Sequence, residues 1–309
     1  MTASKFFAIS LLSIAVAAAT SADAALQIDE LGTGSIDALA LANTLLSGSS
    51  GITLSNVQFV GTTLQAGAFG NAKSAGLSFD SGIVLSTGKV RDLPIGPASF
   101  NADTILGQPG DPLLTALVGT KTLDAAVLKF DFVPTGDKVQ FSYVFGSSEY
   151  NMFVGTHYND TFGFFVNGSN VALIPGTSTS VAINNINCGT SDYSAPGVGT
   201  NCDLFIDNRK DDGVNGKNLG INLGGFTKTF SFVASVNPNV TNTMYLAIGD
   251  ATDARLDSAV FISGGSFSVC GSGSSPACPI VPEPSTYAFL GAAIGLMLLV
   301  GRRRKDLSV

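Results

Sequence analysis

The chain has 309 residues, of which 13% are charged and 36 are glycine, and its formal net charge is −7. Glutamate occurs only at Glu30, Glu149 and Glu283, a composition that suits a Gly-, Ser- and Thr-rich β protein better than a helical bundle. Four cations stand together at Arg302, Arg303, Arg304 and Lys305; the remaining body is therefore more acidic still, and nucleic acid is not an expected partner, because phosphate contacts need clustered Lys and Arg.

Residues 1–24 read as a secretory signal helix: Lys5, then apolar Phe6 to Ala19, then Ala22-Asp23-Ala24, with cleavage expected between Ala24 and Ala25. Its apolar run is short for a membrane anchor. Residues 25–270 read as one all-β domain, a β-sandwich or jelly roll of about eight or more short strands with one or two short helices. A helix is expected over Ser35 to Leu46 with Ser35 as N-cap. A strand follows at Ile52 to Val60, and another at Gly82 to Gly88. Asp111-Pro112 opens a second short helix, with proline at its first position. In Ala126 to Val133, Leu128, Phe130 and Phe132 face one way, and Pro134 to Asp137 turns the chain.

Val139 to Pro175 carries the densest strand signal. Val139, Phe141 and Tyr143 alternate with polar neighbours, and Phe162 to Val166 is a second run. Asn167-Gly168 then predicts a hairpin, since both residues tolerate the positive φ of a type I′ turn. Between these strands lies a polar connection, Ser147 to Asp160, which holds Glu149 and the single histidine, His157. Further strands are expected at Val181 to Ile183, Phe226 to Val236, Met244 to Ile248 and Ser258 to Val269. Polar loops span Asp207 to Gly216 and Gly249 to Asp257. Residues 271–281 form a Gly- and Ser-rich spacer. In residues 282–309, Pro282-Glu283-Pro284 precedes apolar Tyr287 to Gly301, about 22 Å long as a helix against a hydrocarbon core of roughly 30 Å. The four cations that end it make burial in a globular core implausible and match a membrane stop, so a C-terminal transmembrane helix is expected.

The four cysteines allow three pairings; export favours disulfides, and proximity favours Cys188–Cys202 with Cys270–Cys278. A single histidine and the absence of paired CxxC knuckles argue against zinc. A Ser-His-Asp triad would have to use His157, without a G-x-S-x-G elbow. Glu149 with Asp160 is a carboxylate pair that a glycosidase would need. Hard cations such as Ca2+ want several oxygen ligands. Three segments offer them: Glu149 with Asn159 and Asp160; Asp211-Asp212-Gly213; and Asp250, Asp253 and Asp257. None has EF-hand spacing, and aspartates also cap their own turns.

The C-terminal sequence of Pro-Glu-Pro, apolar run and arginine cluster resembles the PEP-CTERM sorting signal of Gram-negative bacteria. That resemblance implies export, an inner-membrane intermediate, exosortase processing and delivery to the cell surface or extracellular polysaccharide matrix. The body resembles the choice-of-anchor L domain of bacterial surface proteins. The carrying residues are Gly82–Gly88 (GIVLSTG), Leu123–Phe132, Phe141–Gly176 and Ala247–Phe267. At Asp212-Gly213, Val-Asn-Gly-Lys replaces the threonine-rich continuation expected from the family. The family implies architecture and location rather than an activity. The expectation is a non-enzymatic surface or matrix protein, structural or adhesive in a polysaccharide biofilm. One alternative is a calcium-dependent carbohydrate-binding module stacking sugars on Tyr150, Phe153 and Tyr158. Another is a glycoside hydrolase using Glu149.

Overall fold

The computed structural model describes residues 25–48, 50–95, 102–189, 199–209, 219–270 and 278. The expected signal helix, the tail helix, its sorting and stop residues, and Asp211-Asp212-Gly213 lie outside the described residues. Among those described, no helix is long and apolar enough to cross a membrane.

The strands form two antiparallel sheets. In sheet one the order is β1 (Gln27–Glu30), β3 (Ala66–Gly70), β4 (Gly82–Ser86), β13 (Ser258–Ser263), β6 (Lys138–Ser147), β10 (Gly225–Thr227) and β9 (Phe205–Asp207). Two further strands, β11 (Phe230–Ser235) and β14 (Ser268–Cys270), also pair with β6. Sheet two runs β2 (Ile52–Val60), β5 (Thr122–Pro134), β12 (Asn242–Ala251), β7 (Thr161–Val166) and β8 (Ser169–Asn170).

The sheets face each other across an aromatic core. Leu128, Phe130 and Phe132 of β5 and Phe162 and Phe164 of β7 meet Val139, Phe141, Tyr143 and Phe145 of β6. Period-two alternation puts these side chains on the inner face. Strands β4 and β13 break that pattern because both their faces are covered. Val84 and Phe261 turn outward into a second apolar cluster with Phe69, Leu93 and Leu223, which is why GIVLS and SAVFIS read as unbroken apolar runs.

The hairpin between β7 and β8 forms as its turn chemistry predicts: Asn167 and Gly168 have φ of 49° and 83°. Asn167 Oδ1 accepts from Thr243 N at 2.9 Å, pinning the turn to β12. The first helix, α1 (Ala38–Leu45), is shorter than expected, and its N-cap is Asp37, not Ser35; the Asp37 carboxylate accepts from Ala40 N at 2.7 Å. Buried Leu41, Ala42 and Leu45 seat it on the core. The second helix, α2 (Pro112–Val118), starts at proline, with Asp111 accepting from Leu113 N at 2.9 Å and Leu114 N at 3.0 Å.

Three strand expectations need correction. Val181 to Ile183 makes only a bridge from Ala182 to Thr161, then enters a short 3-10 turn at Ile183–Asn185. Phe226 to Val236 is two strands, because Lys228 N leaves the β6 ladder to donate to Leu204 O at 2.7 Å. Gly249 and Asp250, expected in a loop, belong to the end of β12. Both local disulfides, Cys188–Cys202 and Cys270–Cys278, are present, with Cα separations of 4.5 and 4.7 Å.

Candidate functional site

At one end of the sandwich, β4, β6 and β13 of sheet one approach β7 and β12 of sheet two. Four of the six predicted ligand residues gather there: Glu149 just after β6, Asp160 just before β7, Asp250 on β12 and Asp257 just before β13. Their exposures are 2%, 1%, 0% and 0%. A bulge between Ile248 and Asp250 breaks the β12 ladder at this level.

Neutral donors fix part of the cluster. Asp160 Oδ1 accepts from Ala251 N at 2.9 Å, and its Oδ2 accepts from the Ser258 hydroxyl at 2.7 Å, so Asp160 ties the two sheets together. Asp257 Oδ1 accepts from Thr104 N at 2.9 Å. Thr87 and Ser258 bind each other across β4 and β13: Ser258 N donates to Thr87 Oγ1 and Thr87 N to Ser258 O, both at 2.9 Å. Gln65 braces this end by donating to the carbonyls of Thr87 at 3.2 Å and Asp124 at 2.7 Å.

The other carboxylate oxygens are not so provided. Glu149 Oε2, both oxygens of Asp250 and Asp257 Oδ2 are buried without a hydrogen-bond partner. Thr87 lies close enough to Asp250 to favour its charged form, but outside hydrogen-bonding geometry. Burial pushes the Glu149 carboxyl up to about 9, and the Asp160 charge adds to it. Burial raises Asp160 to about 7 against the pull of its Ala251 and Ser258 donors and of the adjoining Asp250 carboxyl. Asp257 is raised to about 7, again by burial first, with Asp103 adding to it. Asp250 is raised well above the carboxylate range by burial and then by Asp160. An ionised carboxylate taken out of water without a counter-charge is costly, and it protonates or finds a cation. Arg255 does not supply that charge: it is 60% exposed and pairs at the rim with Asp103, 2.8 Å away.

The remaining two predicted ligands are tied into their own loops, although the Asp253 charge is near enough to raise Glu149 and Asp160 further. Asn159 Oδ1 accepts from Asn184 N at 2.9 Å, which ties down the loop. Asp253 Oδ1 accepts from Arg255 N at 3.2 Å, capping its own turn as aspartates do. His157 is exposed; its ring lies 4.2 Å from that of Tyr158, and its carbonyl accepts from the Thr252 hydroxyl at 2.8 Å. Among the described residues, no three His, Cys, Asp or Glu side chains already stand as an ion cage. Sequence reasoning missed Thr87 and Ser258, whose only signal is a hydroxyl at the end of an apolar strand. It also overvalued Tyr150, which is wholly buried against Phe205, ring centroids 4.8 Å apart, and offers no face to a sugar.

Gly88 has a specific reason to lack a side chain: a Cβ there would overlap Oδ2 of Asp257. Gly88→Ala must therefore displace the Asp257 carboxylate or the β4 end. The expected outcome is a loss of about 1–3 kcal/mol, the usual cost of overpacking, read as a lower urea midpoint with unchanged slope.

A separate cavity of about 560 Å3 opens on the outer face of sheet two beside α2, where Asn56, Gln58, Lys129, Asp131 and Tyr245 meet. Tyr245 donates its hydroxyl proton to Asp111, the cap of α2.

Comparison with known proteins gives two family matches. No curated protein and no solved structure matches the chain. The PEP-CTERM protein-sorting motif matches residues 281–305, which marks the chain for export, exosortase processing and the cell surface of a Gram-negative bacterium. The choice-of-anchor L domain model matches residues 28–268, spanning both sheets and all four clustered carboxylates, and the chain belongs to that family.

Proposed function

We propose that the mature protein is a non-enzymatic module of the cell surface or extracellular matrix, making structural or adhesive contact with polysaccharide. The observation that carries this reading is the pairing of an export-and-sorting tail with a rigid sandwich of the choice-of-anchor L family. A hydrolytic role for Glu149 is disfavoured because at 2% exposure it offers no room for a sugar ring between itself and Asp160. The cavity on sheet two suits a polymer better. It is open and mostly apolar, with Phe165, Met244 and Tyr245 beside a few polar groups from Asn56, Gln58, Lys129 and Asp131, and aromatic faces with a few placed polar groups fit a sugar chain.

Fractionation of the native host tests the reading, combined with co-sedimentation of the protein with its matrix polysaccharide. The expected result is processed protein in the surface or matrix fraction, sedimenting with polymer, and weaker sedimentation for Lys129→Ala. Unprocessed protein in the cytoplasm, or polysaccharide cleavage abolished by Glu149→Gln, would overturn it.

A further inference from the structure

We propose that the acidic end of the sandwich binds one calcium ion between the two sheets, through Glu149, Asp160, Asp250 and Asp257. Four carboxylates from four chain segments are enclosed there, each no more than 2% exposed. An acidic cluster alone would carry little, since carboxylates can bind neutral donors and be satisfied. Here the donors run out. Asp160 and one oxygen of Asp257 are hydrogen-bonded, and the Asp250 carboxyl lies close beside that of Asp160 and the Thr87 hydroxyl, whereas Glu149 Oε2, Asp257 Oδ2 and both oxygens of Asp250 lack a partner in hydrogen-bonding geometry. These orphaned oxygens sit among each other's charges, for Asp250 feels Asp160 and Asp257, and Glu149 feels Asp160. Buried polar atoms without partners are uncommon in folded proteins and point to something that completes them.

The donor set selects the ion. The candidate ligands Glu149, Asp160, Asp250 and Asp257 and the neighbouring Thr87 and Ser258 hydroxyls all offer oxygen, which suits a hard cation rather than zinc or copper. The carboxylates are neighbours in pairs, Glu149 with Asp160 and Asp250 with Asp160 and Asp257, and no three of them stand as a ready cage among the described residues, so the ion must draw them together. Calcium accepts six to eight oxygens in irregular geometry, whereas magnesium demands a near-ideal octahedron and keeps its waters. The Thr87 and Ser258 hydroxyls supply further oxygens from sheet one. Because Glu149 and Asp257 flank strands of sheet one while Asp160 and Asp250 belong to sheet two, the ion acts as a cross-link. Calcium at outside-cell concentrations suffices for such a site, since extracellular modules bind at about 10⁻⁴–10⁻³ M.

The test uses the purified full chain, stripped with a chelator and titrated with Ca2+ while thermal unfolding is followed. A ligand that binds only the folded state raises the melting midpoint, by on the order of 5 °C when calcium exceeds its Kd about a hundredfold. Magnesium at the same concentration is expected to give a smaller rise. Asp250→Asn and Glu149→Gln keep the shapes but remove the charges, so each is expected to melt no lower than the parent in chelator and to lose most of the calcium-dependent rise. Should Asp250→Asn fail to fold, Glu149→Gln carries the same comparison. A wild-type midpoint that ignores calcium would overturn the proposal, and so would a rise that survives in the folded variants.

Discussion

Held in a chelator, the protein is expected to lose stability steadily as the pH is raised from about 4 to about 9. Unfolded carboxylates titrate near 3.9 for Asp and 4.3 for Glu. In the fold, burial moves Asp160 and Asp257 to about 7 and Glu149 to about 9, and raises Asp250 as well. The folded state therefore holds protons that the unfolded state has released throughout this window. Their contribution is fully present below about pH 4 and is lost as the pH rises through the folded values. A tenfold gain in proton affinity at one carboxyl is worth about 1.4 kcal/mol. Even that much at each of several sites is a large part of a total stability of about 5–15 kcal/mol. Thermal melting at pH 5, 7 and 9 reads the effect as a falling midpoint. A midpoint that stays level or climbs would mean that the carboxylates are ionised and compensated in the ion-free fold.

The second large effect comes from the centre of the core. Phe141 is 1% exposed, and its ring centroid lies 4.1 Å from Phe232, 5.0 Å from Phe164 and 5.8 Å from Phe267. It joins β6 and β11 of sheet one to β7 of sheet two, so a truncated side chain there leaves a void that no single neighbour can fill. Phe141→Ala is expected to cost about 3–5 kcal/mol, from lost transfer energy and the residual cavity. Urea denaturation gives the value from the shift in midpoint. A loss below about 1 kcal/mol would show that the two sheets do not depend on this contact.

Much of the sandwich is legible in the sequence, for reasons that particular strands make plain. The end of β5 from Leu128 to Phe132 and the start of β6 from Val139 to Tyr143 bury alternate residues, and period-two patterning reports that directly, whereas Ile52–Val60 alternates only with a change of phase at a bulge between Ser55 and Gln58. Strand β3 leaves no such trace, since Ala66-Gly67-Ala68-Phe69-Gly70 has small residues where alternation would show. Its glycine is enforced from outside: a Cβ on Gly67 would lie 2.7 Å from the Asp29 carbonyl of β1. The cap of α1 falls two residues later than the sequence suggests because Ser35 and Asp37 are equally good caps in isolation, and only the Ala40 amide distinguishes them.

The candidate site is legible as a set of residue types and illegible as an environment. Glu149, Asp160, Asp250 and Asp257 lie in segments that read as polar loops, where carboxylates are expected to be solvated. What buries them is tertiary. Ser148 N donates to Asp257 O at 3.1 Å, closing the end of β6 onto the start of β13, and Asp257 N donates to Ala102 O at 2.7 Å, which brings the 102–104 segment over the cluster. Local sequence carries no sign of these long-range closures. It does separate the two halves of the question, however: the tail speaks for destination, and the acidic end for chemistry.

A crystal structure grown in millimolar calcium, with anomalous diffraction recorded, probes the acidic end most directly. The expected result is one anomalous peak between the sheets, with oxygens of Asp160, Asp250 and at least one of Glu149 and Asp257 at about 2.3–2.6 Å. Carboxylates that instead pair with each other through shared protons, or swing out into solvent with the space between the sheets closed, would contradict it.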